Sequence, residues 1–449
     1  MRNLDFLPGL IDKVFPLPAR FRPGLKLDVA DLSRLLTSER PERGSSYLGR
    51  PALLSAYLRY FLPWNIYRLS RLFSIIPLDL KPNDAINDIG AGPLTLAASL
   101  WISRPDLRTI PIEFRCLDRT SAVLEAGKKL FAALSEVLPP RDGGLSGLSG
   151  LSGDSGLNSG CPWTIKIIRG ELKRNGALSV EIRGKPAALS AAVNVYNEIF
   201  WNFPYRDEDE LVRFADNQAR LLSSLTESSG SVLVVEPGIP RSGEFISLLR
   251  SSLMNENRFP VSPCTHSGSC PLPANRFKNN TGTGGKAKWC HFAFDTESAP
   301  PELHQLSAAA RLPKERAVLS YILAGPVSLK KENTAKSAIA FPGTDVSKKP
   351  HQKKAGLLSP GMISGGPVKI RIISDSFPVD GGAENDHGAT RGAGAWGRYG
   401  CCEHGLVLVT GNRENIEKSP SGCLEELRIL SGSKDAKSGA LVAEKKSGK

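Results

Sequence analysis

The chain reads as an α/β protein built around a doubly wound parallel sheet, with a helical region before it and a small β module after it. Three observations lead there. From Asp84 onward short apolar runs alternate with helical stretches, which is the pattern of a parallel sheet with crossover helices. A glycine turn, D-I-G-A-G-P from Asp88 to Pro93, follows the first of those runs and leads into L-T-L-A-A-S-L-W. Late in the chain, V-K-I-R-I-I and G-L-V-L-V-T read as strands with no long helix between them.

Taken in order, residues 1–80 are expected to be helical. From Tyr47 the sequence Y-L-G-R-P-A-L-L-S-A-Y-L-R-Y-F-L-P-W-N places apolar residues at helical spacing, and Pro63 is expected to break the helix. The next segment, I-Y-R-L-S-R-L-F, carries Arg68 and Arg71 opposite its apolar face, either solvated or free to meet phosphate. The α/β domain is expected over 81–327. Its candidate strands are Ala85–Asp88, Glu113–Asp118, Thr164–Ile168, Ala191–Tyr196, Ser231–Glu236 and Val318–Leu323. Within it, 141–160 is a Gly-Leu-Ser repeat that buries too little surface to offset its ordering entropy, so a flexible loop is expected. Residues 262–292 form a cysteine-rich insertion. A basic linker spans 328–367, the β module spans 368–430, and the Lys/Ser/Gly-rich tail 431–449 is expected to be disordered.

Composition narrows the function. The 449 residues carry a net charge of +13, which points to a polyanionic partner, RNA above all. Part of that charge sits in the linker, as Lys330, Lys331, Lys336, Lys348, Lys349, Lys353 and Lys354. No apolar run approaches the roughly 20 residues that span a bilayer, so no membrane partner is expected. Acids and prolines interrupt the apolar N-terminus, and a bacterial-type cytoplasmic location is expected, with an organellar one left open. A monomer is expected. Eight cysteines in such a chain argue against a disulfide framework.

Asp88, Gly90 and Gly92 form D-x-G-x-G, without the third glycine of the dinucleotide fingerprint. Glycine there allows a sharp turn and close approach of a ligand. The missing glycine favours S-adenosylmethionine, which has no pyrophosphate to cradle. Asp118 ends the second strand, where an acid can accept from ribose hydroxyls. Asn194, Asn197 and Glu198 follow the fourth strand, at the ligand crevice of such sheets. They are candidates to face a transferred methyl group, a reaction governed by positioning. Neither an Asn-Pro-Pro-Tyr segment nor a Pro-Cys nucleophile loop is present, so catalysis is not legible from motifs.

The cysteine insertion reads S-P-C-T-H-S-G-S-C-P-L and then W-C-H-F, setting Cys264, Cys270 and Cys290 beside His266 and His291. Gathered thiolates are strong ligands for zinc or iron. Zinc modules use close C-x-x-C pairs, whereas five residues separate Cys264 from Cys270. The wider spacing suits an iron–sulfur cluster, with zinc as the alternative.

Together A-Y-L-R-Y-F-L-P-W-N, D-I-G-A-G-P, Y-N-E-I, V-V-E-P-G-I-P and the cysteine block resemble the methyltransferase-like family of small-ribosomal-subunit assembly factors, best known from mitochondria. The resemblance runs from about Tyr47 to Gly405. It implies a class I methyltransferase domain, a four-iron four-sulfur cluster and association with the small ribosomal subunit and its rRNA. Carried over by position, Cys264, Cys270 and Cys290 are three ligands. The fourth falls in R-Y-G-C-C-E-H-G, at Cys401 or alternatively Cys402. The expected function is an S-adenosylmethionine-binding factor that supports assembly and translation. An active rRNA methyltransferase and a zinc-binding RNA-interaction protein are the alternatives.

Overall fold

The computed structural model describes residues 4–37, 47–140, 160–200, 208–272, 289–327, 366–379, 395–436 and 438–445. The expected loop at 141–160 and the linker at 328–367 lie almost wholly outside them. The chain divides into two compact units: residues 1–263 with 272–326, and residues 264–271 with 327–449. The cysteine insertion is therefore divided, its first two cysteines grouping with the C-terminal unit.

The larger unit begins with helices α1 (Phe6–Val14), α2 (Leu25–Leu36), α3 (Pro51–Ala56) and α4 (Leu62–Phe73). Pro63 does not break the helix. It sits in the first turn of α4, where its missing N–H costs little. A wide π-turn over Tyr57–Phe61 joins α3 to α4 and turns Tyr57 and Phe61 toward the strand ends described below. Nor do the two arginines form a solvated stripe: Arg68 donates to the Val318 carbonyl at 3.0 Å, and Arg71 pairs with Asp295.

The sheet strands are β1 (Asp84–Ile89), β2 (Ile112–Asp118), β3 (Trp163–Arg169), β4 (Ala187–Val193), β5 (Thr226–Pro237), β6 (Phe259–Ser262), β7 (Phe292–Asp295) and β8 (Arg316–Gly325). Their order is β3-β2-β1-β4-β5-β8-β6, with β7 also paired to β8. The first five are parallel, and β8 runs antiparallel to β5. A doubly wound sheet closed by an antiparallel strand beside β5 is the class I methyltransferase fold. The expected doubly wound sheet is present, and β8 runs against β5, an orientation that a short apolar run does not encode. The fourth strand also stops at Val193, three residues before the expected end at Tyr196, which frees Asn194 to turn.

Helices α5 (Thr95–Ser103) and α6 (Ser121–Val137) follow β1 and β2, the short α7 (Tyr196–Phe200) follows β4, and α8 (Glu208–Leu225) and α9 (Pro240–Asn255) flank β5. Trp101, Phe114, Phe131 and Trp163 form an aromatic core, with the Trp101 and Trp163 rings 4.8 Å apart edge to face. Both indole N–H groups find backbone carbonyls, Leu138 and Leu107, so their burial leaves no donor unmet.

The C-terminal unit holds β9 (Val368–Ile372), β10 (Phe377–Pro378), β11 (Trp396–Cys402), β12 (Gly405–Gly411), β13 (Leu424–Leu427), β14 (Ile429–Lys434) and β15 (Leu441–Glu444). Ile370, Ile372, Cys402, Val407, Val409 and Ala443 form its core. The tail expected to be disordered instead supplies β15, which pairs parallel with β12 from Val407 to Thr410. Leu441, Val442 and Ala443 give that strand an apolar stretch that the surrounding Lys/Ser/Gly composition hides.

Candidate functional site

A parallel sheet exposes the carboxyl ends of its strands, and a crevice forms where the chain order reverses between β1 and β4. Here that crevice is a cavity of about 1240 Å³. It is lined by Asp88, Gly90, Gly92, Asp118, Asn194, Asn197 and Glu198, so all seven residues expected at a cofactor or catalytic site converge on one place.

The glycine turn is shaped by backbone constraints. Gly90 and Gly92 adopt φ of 71° and 53°. A Cβ on Gly90 would lie 2.3 Å from Val195 Cγ2, so only glycine fits beneath the β4 loop. A Cβ on Gly92 would meet nothing within 4 Å, and that open space belongs to the cavity. The Gly90 and Ala91 amides donate to the Leu117 carbonyl, tying the turn to the end of β2. Asp118 completes the link by accepting from the Gly92 amide at 3.0 Å and the Thr120 amide at 2.9 Å. Each of its oxygens keeps lone-pair capacity for a ligand. Burial raises the Asp118 carboxyl above its ordinary range, opposed by those two hydrogen bonds.

Asp88 is different. It is buried, and neither carboxylate oxygen has a hydrogen-bond partner. Burial, with Asp118 nearby, pushes it up to about 8. An acid held so at the floor of a cavity suits a ligand that brings a positive charge or donors.

The loop after β4 is fixed by a residue whose role the sequence did not reveal. Glu236, at the end of β5, is fully buried. Its Oε1 accepts from the Tyr196 amide at 2.8 Å and its Oε2 from the Asn197 amide at 3.0 Å. Burial pushes it up to about 7 despite those bonds. Asn194 turns through φ 59° and donates its amide to the Val235 carbonyl, while Asn197 Nδ2 donates to the Asn194 carbonyl. Glu198 lies 3.9 Å from Arg119. The glutamate of E-P-G thus positions the three candidate residues by capping their loop. Its signal was an acid ending an apolar strand, but the groups it holds are backbone amides some forty residues earlier.

The E-P-G turn also anchors the third cysteine. A Cβ on Gly238 would lie 2.9 Å from the Leu319 amide nitrogen. Trp289 donates its indole N–H to the Gly238 carbonyl at 3.1 Å. The Cys290 carbonyl accepts from Ser320 Oγ at 2.8 Å. Cys290 therefore belongs to the larger unit, and Cys264 and Cys270 to the smaller. Among the described residues no group of three or more His, Cys, Asp or Glu side chains stands together to hold a metal. Cys401, expected as the fourth ligand, belongs to the smaller unit as well. Of the doublet, Cys402 is buried in the core of the C-terminal unit, whereas Cys401 alternates to the other face of β11 and is half-buried.

Residues 207–372 match the family model described as mitochondrial small ribosomal subunit Rsm22. That stretch runs from α8 to β9 and contains Cys264, Cys270, Cys290 and Glu236, but neither the glycine turn nor Cys401. The mitochondrial description overturns the bacterial-type cytoplasmic location expected from the N-terminus. No curated protein matches the chain. Similar solved structures include CalO1, a methyltransferase of calicheamicin biosynthesis in an SAH-bound form, at 13% identity over 69% of this chain and 73% of that one, TM-score 0.27. Geranyl diphosphate methyltransferase with GPP and sinefungin follows at 12% identity over 63% and 84%, TM-score 0.26. The fold class rests on the strand order rather than on these scores.

Among the described residues no helix is long and apolar enough to cross a membrane.

Proposed function

We propose that the chain is an S-adenosylmethionine-binding, methyltransferase-like factor of the small ribosomal subunit that contacts its rRNA. The observation carrying the cofactor reading is the convergence of Asp88, Gly90, Gly92 and Asp118 on one cavity, with Asp88 left without a partner. When bound, the cofactor supplies an electrophilic methyl group. Asp88 would meet its ammonium, the bare Gly92 backbone would let it approach, and Asp118 would accept from its ribose. Asn194, Asn197 and Glu198 line the side where an acceptor would lie. Asn197 is held by Asn194 and Glu198 lies beside Arg119, so what these residues offer is position rather than proton transfer. The ribosomal reading is supported by the family match over 207–372 and by the net charge of +13.

Two measurements test this. Calorimetric titration of the full chain with S-adenosylhomocysteine should give one saturable site, and absence of binding defeats the cofactor reading. Co-sedimentation with small ribosomal subunits should weaken steeply as salt rises, as phosphate contacts require. Salt-independent association, or none, defeats the rRNA reading.

A metal-binding role for Cys264, Cys270, Cys290 and Cys401 stands as a separate proposal. It is favoured by the grouping of residues 264–271 with the unit that carries Cys401, and by the burial of Cys402 in that unit's core. Metal analysis of anaerobically purified protein tests it. Iron with labile sulfide supports a cluster, stoichiometric zinc supports the alternative, and neither metal overturns both.

A further inference from the structure

The cavity wall carries charges of both signs on separate elements, with Arg119, Glu171, Lys173 and Arg174 also among its lining. On one side the ends of β1, β2 and β4 contribute Asp88, Asp118 and Glu198. On the other, the π-turn and α4 contribute Tyr57, Phe61 and Arg68, and the segment before β8 contributes Lys314. Tyr57 stands at the boundary. Burial, followed by Glu198 and Asp118, raises its hydroxyl well above the ordinary range, while Arg68 opposes the shift.

The basic side lacks a counter-charge. Arg68 spends its guanidinium on the neutral Val318 carbonyl and the Asn65 amide oxygen. Lys314 is exposed and forms no ion pair among the described residues, and partial desolvation with Arg68 beside it lowers its ammonium below the usual value. Two cations that face one cavity with no carboxylate between them repel each other, and an anion relieves that cost. The neighbouring Tyr57 and Phe61 rings, stacked with centroids 5.8 Å apart, add an aromatic surface to the same wall. A cavity of about 1240 Å³ also exceeds the roughly 300–1,000 Å³ usual for one small ligand.

We propose that this wall is a second ligand subsite, taking a nucleotide whose phosphate lies against Arg68 and Lys314 and whose base lies against Tyr57 and Phe61. This deepens the cofactor reading, since it makes the opposite wall the place of S-adenosylmethionine. Phosphate is the anion that two neighbouring basic groups serve best, and an aromatic face binds any base without demanding its sequence.

The test is titration of the full chain with cytidine monophosphate and with cytidine, each with and without saturating S-adenosylhomocysteine. A pyrimidine nucleotide avoids competition for an adenosine-shaped site. The monophosphate should bind in both conditions and cytidine about tenfold more weakly. Lys314→Gln should weaken the monophosphate about tenfold and cytidine little, with thermal unfolding unchanged or raised, because it removes a repulsion and no ion pair. Arg68→Lys, which keeps charge but loses the planar donor geometry, should fall between. No saturable binding of the monophosphate, equal binding of cytidine, or indifference to Lys314→Gln overturns the subsite. Failure of S-adenosylhomocysteine alone overturns the cofactor reading and leaves the phosphate result to be judged separately.

Discussion

The crevice of the larger unit and the core of the C-terminal unit both contain buried charge, yet they treat it in opposite ways. In the C-terminal unit the charged groups answer one another or the backbone. Arg398 donates to the Ile416 and Ser374 carbonyls, each at 2.9 Å, and Lys445 donates to Glu425 at 2.8 Å. Arg371 donates to the Gly422 carbonyl at 2.8 Å. In the crevice neither oxygen of Asp88 has a partner, and Lys314 forms no ion pair among the described residues. A charge satisfied within the fold holds the fold. One left unsatisfied at the end of a parallel strand faces something that must arrive.

Substitutions should therefore separate stability from binding according to region. The largest effect is expected from Gly90→Ala, which combines a positive φ with a Cβ 2.3 Å from Val195. It should cost about 1–3 kcal/mol in denaturant unfolding and abolish S-adenosylhomocysteine binding in calorimetry. A Gly90→Ala protein that binds normally would show that the turn is not pressed against the β4 loop.

Glu236→Gln comes next. Its amide nitrogen would replace one of the two accepting oxygens and set a donor against the Tyr196 or Asn197 N–H, so a loss of about 1–3 kcal/mol is expected. The pH dependence has a definite sign. Burial holds Glu236 at about 7 against 4.5, so between those values the folded protein keeps a proton that the unfolded chain has released. Stability then falls as pH rises through that window, and Glu236→Gln should flatten the slope. An unchanged slope would remove Glu236 from the titrating groups.

Lys445→Met gives the contrast. It leaves Glu425, only about a fifth exposed, without its cation, and should cost about 1–2 kcal/mol while cofactor affinity stays at the wild-type value. Loss of affinity there would erase the distinction between the two regions.

The glycine turn, Asp118 and the polar cluster after β4 were readable because strand-end chemistry follows chain order: each motif sits directly after its strand. Glu236 was not readable as a clamp, since its partners are backbone amides brought near only by the pairing of β4 with β5. Pro63 misled because a π-turn ahead of it absorbs the missing N–H, a backbone adjustment that side-chain spacing does not encode. Strand β15 was hidden for a related reason: its stability comes from the parallel ladder with β12, not from its own composition. The cysteines were conspicuous as residues, but their distribution over two units is a property of packing alone.

Asp88 tests the contrast most directly. Its carboxyl is buried, unpartnered and held at about 8, so near pH 7 Asp88 carries a proton that a cationic ligand must displace. Titration with S-adenosylhomocysteine at pH 7, repeated in buffers of different ionisation enthalpy, measures that proton. Binding should release close to one proton in the wild type and none in Asp88→Asn. The variant should bind at least about tenfold more weakly while unfolding at an equal or higher temperature. Binding without proton release, or an Asp88→Asn protein that is less stable and binds equally well, would show that Asp88 serves the fold and not a ligand.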